Sequence, residues 1–262
     1  MKLFDELIRI VRILRSPEGC PWDREQTRES LTPYFIEEVH EAVQANEEKN
    51  TEQLKYELGD VLLHVVFQTV IAEENNEFGF EDVLKAVCDK MIRRHPHVFS
   101  KDREYSLEEA NRIWERQKSK EPKENLLDGV PGSLPELHRS LRLQQKAAAA
   151  GFDWDNVDRV WDKVEEEFAE FRHALEQGNK KDIEDEFGDI LFALVNLSRF
   201  YDLHPGTALK ISNEKFYRRF SAVENHYRSK GISMHGATLE ELDAVWEKVK
   251  EKENKEDGEK DS

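Results

Sequence analysis

The chain has 262 residues, of which 38% are hydrophobic and 36% are charged, and its formal net charge is −17. Such an acidic balance argues against a basic face that binds nucleic acid. No apolar run approaches the ~20 residues of a membrane span, and the N-terminus lacks a signal-peptide pattern, so we expect a cytoplasmic protein. Two cysteines far apart in sequence predict neither a disulfide framework nor a zinc site.

Helical periodicity runs through the first half, and the alternating runs of β-branched residues that would predict strands are missing. In chain order the apolar positions predict helices over 3–14, 31–42 and 54–65, a fourth over 80–94, and a last one that begins at a capping box and spans 106–118. Three prolines and two glycines mark the segment 120–135 as a linker.

The second half repeats the plan of the first at an offset of 129 residues. The apolar stripe of the third helix recurs over 183–194, and the turn that follows is four residues shorter. We therefore predict an all-α fold of tandem duplicated helical-bundle domains, with an N-terminal domain at 1–119 and a C-terminal domain at 136–250. The charged segment 251–262 is predicted to be a disordered tail.

Acidic residues keep the same spacing in both halves. They are Glu37, Glu38, Glu41, Glu57 and Asp60 in the first half and Glu166, Glu167, Glu170, Glu186 and Asp189 in the second. Carboxylates three and four residues apart lie on one face of a helix, where like charges repel each other. A solvated acidic face does not need to keep its register through a duplication. The pattern therefore predicts a cation site, and ligands that are all oxygens favour Mg²⁺ or Mn²⁺.

Iron is the alternative metal. Glu37 and His40 have the Glu-x-x-His spacing that di-iron helical bundles use. However, His40 corresponds to Ala169 in the second half, and His64 corresponds to Ala193, so nitrogen ligands are not part of the repeated pattern. The sequence favours a hard divalent ion, and His64 is expected to be a core residue.

Basic and aromatic residues of the later helices also recur. They are Lys90, Arg93, Arg94, Trp114 and Lys118 in the first half and Lys215, Arg218, Arg219, Trp246 and Lys250 in the second. Arginine binds phosphate oxygens bidentately and lysine adds a point charge, while tryptophan offers a stacking surface for a base. Surface ion pairing and core packing are the alternatives, but the repetition favours a binding site for a phosphate-rich substrate.

On these motifs the chain resembles the two-domain bacterial form of the MazG family of nucleoside triphosphate pyrophosphohydrolases. The resemblance also rests on Gly-Cys-Pro-Trp-Asp at 19–23, Gln-Thr at 26–27, Gly-Val-Pro at 129–131, Gly-Phe-Asp-Trp at 151–154, and the segment 215–220. It implies helical bundles that usually dimerise. It also implies Mg²⁺-dependent hydrolysis of NTP or dNTP to nucleoside monophosphate and pyrophosphate, as nucleotide-pool house-cleaning.

In related proteins the metal ligands are the second and third Glu of the first motif and the Glu and Asp of the second. Carried over, these are Glu38, Glu41, Glu57 and Asp60, together with Glu167, Glu170, Glu186 and Asp189. In some two-domain relatives only the C-terminal site is active, whereas this chain keeps the ligand set in both halves. The first half has His95-Pro96 where the second has Phe220, so its substrate pocket departs from the family pattern.

The mechanistic hypothesis is in-line attack of water between the α- and β-phosphates, with Glu37 or Glu166 as general base and the arginines neutralising phosphate charge. A pyrophosphatase or a dNTP-specific hydrolase could use the same metal site. A non-enzymatic helical regulator could instead use the acidic faces to bind a partner. The expected partners are nucleoside triphosphates and a second copy of the chain, not nucleic acid or a membrane.

Overall fold

The computed structural model describes the backbone of residues 2–100, 104–119 and 125–260, and their side chains except at 111, 115, 118, 119 and 254–260. All regular secondary structure within these residues is helical, which confirms the predicted all-α class. The chain divides into two compact units, Met1–Glu121 and Pro122–Ser262. Among the described helices, none combines the length and the apolar character that a membrane span requires.

The first unit is built from seven helices in the part that the structure describes. They are α1 (Lys2–Arg15), α2 (Pro21–Glu25), α3 (Arg28–Glu47), α4 (Thr51–Glu74), α5 (Phe80–Arg94), α6 (Pro96–Phe99) and α7 (Leu107–Ser119). The predicted capping box before α7 forms, because Ser106 N donates to Glu109 Oε2 at 3.0 Å and Glu109 N donates to Ser106 Oγ at 3.2 Å. A polar cap therefore fixes where α7 begins.

The core of the first unit lies where α1 and α3 pack against α4. Val11 of α1 and Val66 of α4 are fully buried, and Leu31, Phe67 and Val70 are at most 6% exposed. Because burying each such side chain contributes about 1.5–3 kcal/mol, this apolar contact holds α1 on the α3–α4 pair.

The second unit contains α8 (Glu136–Ala149), α9 (Val157–Gln177), α10 (Lys180–Phe200), α11 (Pro205–Ser229), a 3₁₀ turn (Met234–Gly236) and α12 (Leu239–Lys260). α9 and α10 form the central pair, α8 packs on α10, and α11 packs on α12 and α8. Gly178 ends α9 at a φ of 72°, which favours glycine. Asn179 then caps α10 by accepting from Lys181 N at 3.1 Å.

The last helix differs from the prediction of a disordered tail over 251–262, because α12 continues to Lys260. The segment has no proline and is rich in Glu and Lys, which have high helix propensity. It is also anchored, since Glu253 pairs with both Arg218 and Arg219 of α11. A local composition rule could not detect this contact between helices.

Candidate active site

The central helix pair of the first unit gathers three of the predicted metal ligands. Glu38 and Glu41 of α3 and Glu57 of α4 each contribute a carboxylate oxygen, and these atoms lie within 4.8 Å of one another. Glu57 is only 4% exposed, and Gln53 Nε2 donates to its Oε1. We call Glu38, Glu41 and Glu57 the first carboxylate trio.

The second unit gathers a similar group. Glu167 of α9 and Glu186 and Asp189 of α10 place one carboxylate oxygen each within the same 4.8 Å limit. Glu167 is 6% exposed, and Oε2 of Glu186 is buried with no hydrogen-bond partner among the described residues. These three residues are the second carboxylate trio. Asp60 and Glu170, the fourth predicted ligand of each half, lie outside the trios.

Burial and mutual repulsion raise the pKa of two members of the first trio, Glu38 and Glu41. Burial, and then the charges of Asp60, Glu41 and Glu57, raise the pKa of Glu38. The charge of Glu57 is the main cause that raises the pKa of Glu41. Asp60 therefore acts on the first trio electrostatically although it is not among its converging atoms.

The same effect operates in the second trio. Burial, followed by the charges of Glu170 and Glu167, raises the pKa of Glu186. Carboxylates that repel each other in a partly desolvated place are stabilised by a bound cation. The donor set of both trios therefore fits a hard divalent ion.

One lysine distinguishes the two trios. Lys163 Nζ lies 2.7 Å from Glu167 Oε1 and 2.8 Å from Glu166 Oε1, and these carboxylates raise the pKa of Lys163. The corresponding position in the first half is Tyr34, which stacks edge-on against Trp22. Lys163 thus gives the second trio an internal positive charge that the first trio lacks.

The two predicted general bases are on the solvent side of their helices. Glu37 and Glu166 are both exposed, and neither belongs to a trio. Glu166 differs from Glu37 in that its Oε1 accepts from Lys163 at 2.8 Å. His64, expected in the core, is 9% exposed and its ring stacks on Phe35 at 5.8 Å.

The predicted substrate-binding residues of the second unit lie on α11 and α12, and none of them belongs to the trio. Arg218 Nε and Arg219 Nε each donate to Glu253 at 2.7 Å, which lowers the pKa of Glu253 to about 2. Trp246 packs against Phe216 at 5.5 Å between ring centroids. Lys215 is exposed and Lys250 pairs with Glu247 at 2.7 Å.

Their counterparts in the first unit are also on the later helices. Arg94 of α5 lies over the Trp114 ring of α7, with 5.4 Å from the guanidinium carbon to the centroid. Lys90 is half-buried and Arg93 is exposed. The side chain of Lys118 lies outside the described residues. The structure therefore pairs the predicted stacking residue of this unit with one of its predicted phosphate-binding arginines.

A cavity of about 610 Å³ adjoins the second trio. It lies between α8, α10 and the loop before α9, and Glu167, Asp189 and Lys163 form one part of its wall. The rest of the wall includes apolar side chains and the polar groups of Gln144, Asn196 and Arg199, together with Asp153 and Trp154. None of the ten predicted substrate-binding residues lines this cavity, as far as their side chains are described.

The polar wall of the cavity was not identified from the sequence, although a signal was available. Asn196 and Arg199 stand where the first half has Phe67 and Val70, at the same offset of 129 residues. Polar residues that replace apolar ones on the core face of a duplicated helix indicate a functional site.

Fold and site together define a duplicated all-α protein with two carboxylate trios, the second of which opens into a ligand-sized cavity. The family model described as the MazG nucleotide pyrophosphohydrolase domain matches the chain twice, at residues 26–99 and 156–223. Both matches contain the residues of one carboxylate trio.

Two relatives that align with nearly the whole chain are also named nucleoside triphosphate pyrophosphohydrolases. The nucleoside triphosphate pyrophosphohydrolase/pyrophosphatase MazG of Thermotoga maritima is 44% identical, over 95% of this chain and 96% of that protein. The nucleoside triphosphate pyrophosphohydrolase of Escherichia coli K12 is 40% identical, over 97% of this chain and 99% of that protein. The chain therefore belongs to the MazG nucleotide pyrophosphohydrolase family of enzymes. A crystal structure of a mazG-related protein from Thermotoga maritima aligns to 44% of this chain and 99% of that one, with 28% identity and a TM-score of 0.39.

Proposed function

We propose that this enzyme hydrolyses nucleoside triphosphates, NTP or dNTP, to nucleoside monophosphate and pyrophosphate with the help of Mg²⁺ or Mn²⁺. The observation that carries the proposal is the convergence of three carboxylate oxygens within 4.8 Å in each unit, at positions that the duplication repeats. Family membership supports the reaction class, and the cavity beside the second trio supports a small-molecule substrate.

The residues that would hold the cation are Glu38, Glu41 and Glu57 with Asp60 in the first unit, and Glu167, Glu186 and Asp189 with Glu170 in the second. The fit rests on their chemistry, because converging carboxylates are hard oxygen donors whose mutual repulsion a divalent charge relieves. When bound, the ion supplies Lewis-acid polarisation of a phosphoryl oxygen and neutralises the charge that develops on it.

The proton of the attacking water would go to a carboxylate outside the trio. In the second unit Oε1 of Glu166 is bonded to Lys163, which holds this carboxylate in one place and leaves Oε2 to accept the proton. Glu37 is the equivalent base in the first unit. Lys163 thus orients Glu166 and Glu167 together, which supports the second unit as a working site.

The arginines of α11 would bind the phosphates only by exchanging their present partner. Arg218 and Arg219 both donate to Glu253, and a triphosphate offers the same kind of acceptor with more charge. We propose that Lys215 and Lys250, with Trp246 beside them, belong to the same phosphate-binding end of the site. Lys90, Arg93, Arg94, Trp114 and Lys118 would have this role in the first unit.

The proposal also includes a homodimer and a role in the cell. The central helices of both units expose large apolar side chains, such as Ile36 at 52%, Leu58 at 55% and Phe187 at 53%. Exposed apolar surface of this kind is typical of an interface, which supports a homodimer. We propose a cytoplasmic enzyme that removes unwanted nucleotides from the pool, and light scattering after gel filtration tests its oligomeric state.

Product analysis tests the reaction. The protein is incubated with each NTP and dNTP, with and without Mg²⁺, and the products are resolved by anion-exchange chromatography. The proposal expects nucleoside monophosphate and pyrophosphate only when metal is present, and no turnover by the combined Asp60→Asn, Asp189→Asn variant. Release of nucleoside diphosphate and phosphate would reject the cleavage position. Hydrolysis of added pyrophosphate without turnover of any NTP would favour a pyrophosphatase, and no reaction at all would favour a helical regulator.

A further inference from the structure

In the second unit the cavity lies between α8 and α10, whereas in the first unit apolar side chains fill the contact between α1 and α4. Phe192 and Asn196 of α10 line the cavity opposite α8. At the same offset of 129 residues, α4 has Leu63 and Phe67, which pack in the apolar core beneath α1. The duplicated fold can therefore close this space with side chains. Among the described residues, the open space lies beside Phe192 and Asn196, whereas side chains pack at the equivalent positions of α4. The duplicated fold therefore does not require this space.

A buried acceptor in the cavity wall has no partner. Gln144 of α8 is 8% exposed, and its Nε2 donates to the backbone oxygen of Phe192 at 2.9 Å. Only the amide nitrogen can donate to a carbonyl, so this bond fixes Oε1 as the remaining acceptor. That oxygen is buried without a partner among the described residues. Because an unpaired buried acceptor is unfavourable, the site calls for an N–H or O–H donor from a ligand.

The neighbouring polar groups are held in fixed orientations. Arg199 donates to both carboxylate oxygens of Asp153, one at 2.8 Å, and its Nη2 also donates to Asn196 Oδ1 at 2.9 Å. The Asn196 oxygen is thus used, and its amide N–H groups are the donors that remain. Arg199 is the charged residue beside Asn196, and it is already paired with Asp153. The end of the cavity at Gln144 and Asn196 therefore suits a neutral polar group rather than an ion.

Aromatic side chains stand at the same cavity. Trp154 is 42% exposed and Phe152 is 85% exposed, and both line it. Exposed aromatic rings beside a pocket provide stacking surfaces for planar ligands. The volume of about 610 Å³ is in the range of pockets for drug-sized molecules.

We propose that this cavity binds the nucleoside of the substrate, with the edge of the base at Gln144 and the phosphates toward Glu167 and Asp189, which line the same cavity. Gln144 is the residue that selects among bases, because its Oε1 can form a hydrogen bond only with a base that carries a donor at that edge. The inference rests on the proposed function and deepens it, since it assigns the substrate to the second unit.

Nucleoside binding tests the subsite without metal and without turnover. Adenosine, guanosine, cytidine and uridine are titrated into the full chain by calorimetry. The same titrations are made with the Asn196→Phe variant, which puts into the cavity the phenylalanine that the first unit has at the equivalent position, Phe67. We expect at least one nucleoside to bind, and Asn196→Phe to weaken that binding at least tenfold and to raise KM for the matching NTP similarly. Metal binding and the melting temperature should not change. Leu194→Phe, at an exposed position of the same helix outside the cavity, should bind the nucleoside like the parent chain.

Gln144→Met removes the acceptor at similar volume. Loss of one hydrogen bond predicts affinity for the preferred nucleoside lower by about five- to tenfold, with less difference among the four nucleosides. The inference is overturned if the parent chain binds no nucleoside, if Asn196→Phe binds as well as the parent chain, or if Gln144→Met leaves all four affinities unchanged. NTP turnover with any of these results leaves the proposed reaction intact. Nucleoside binding without turnover of any NTP would reject the reaction instead.

Discussion

Lys163 and Glu167 form an ion pair at 2.7 Å, one helical turn apart on α9. Glu167 belongs to the second carboxylate trio, so this ammonium is a counter-ion at a candidate cation site. The same position of the first half is Tyr34, which has no ammonium group. The duplicated units therefore provide a comparison between a trio with an internal cation and one without it.

Replacing Lys163 with Met is predicted to tighten metal binding at the second trio. The ammonium competes electrostatically with a divalent ion, and its loss leaves the carboxylates with uncompensated repulsion. We expect an increase in Mn²⁺ affinity of about tenfold, or about 1.4 kcal/mol. Calorimetric titration in a Glu38→Gln, Glu41→Gln background isolates the second trio. An affinity that stays the same or falls would show that Lys163 supports the metal site only by positioning its ligands.

The contact between α11 and α12 is predicted to weaken in acid. Arg218 and Arg219 lower the pKa of Glu253 from an ordinary 4.5 to about 2, so the folded state favours the ionised carboxylate. A lowered pKa contributes stability above the ordinary value, and that stability is lost as the pH falls through the folded value. Urea unfolding of the parent chain and of Glu253→Gln should differ most above pH 4.5, with the difference shrinking toward pH 2. A difference that is constant with pH would contradict this account.

Truncation of Phe67 and of its equivalent, Asn196, should lower the free energy of unfolding by different amounts. Phe67 is 6% exposed in the apolar core, and Phe67→Ala is expected to reduce the free energy of unfolding by about 3–5 kcal/mol. Asn196 already lines a cavity, so Asn196→Ala creates little new empty volume and should cost less than about 1 kcal/mol. Urea denaturation followed by circular dichroism measures both. Equal losses in the two variants would mean that the two interfaces are packed alike.

The helices and the carboxylate register were predictable from the sequence because both depend on local periodicity. Apolar spacing gave the stripes of α4 and α10, and acidic spacing placed each set of ligands on one face. Which three of the four candidate ligands converge in each unit was not predictable. The same four candidates occur in both halves, yet Glu41 completes the first trio and Asp189 the second. That difference depends on side-chain orientation between packed helices, which spacing does not encode.

Two features depended on contacts between distant segments. The cavity exists because α8 and α10 meet around Gln144 and Asn196, which are 52 residues apart in sequence. The arginines of α11 were expected to be open to phosphate, but Glu253 from the predicted tail occupies them. Comparing the halves position by position would have pointed to Asn196 and Lys163. No property of one segment alone would have identified Glu253 as the partner.

The most direct test of the account compares Glu186→Gln with its duplicate, Glu57→Gln, in initial rates of nucleoside monophosphate formation at saturating Mg²⁺. Both substitutions remove one charge from a trio and keep the side-chain volume. Because the cavity adjoins only the second trio among the residues that the structure describes, Glu186→Gln is predicted to lower kcat at least 100-fold, while Glu57→Gln keeps most of the rate. Unchanged turnover by Glu186→Gln would contradict the claim that the second trio carries the reaction.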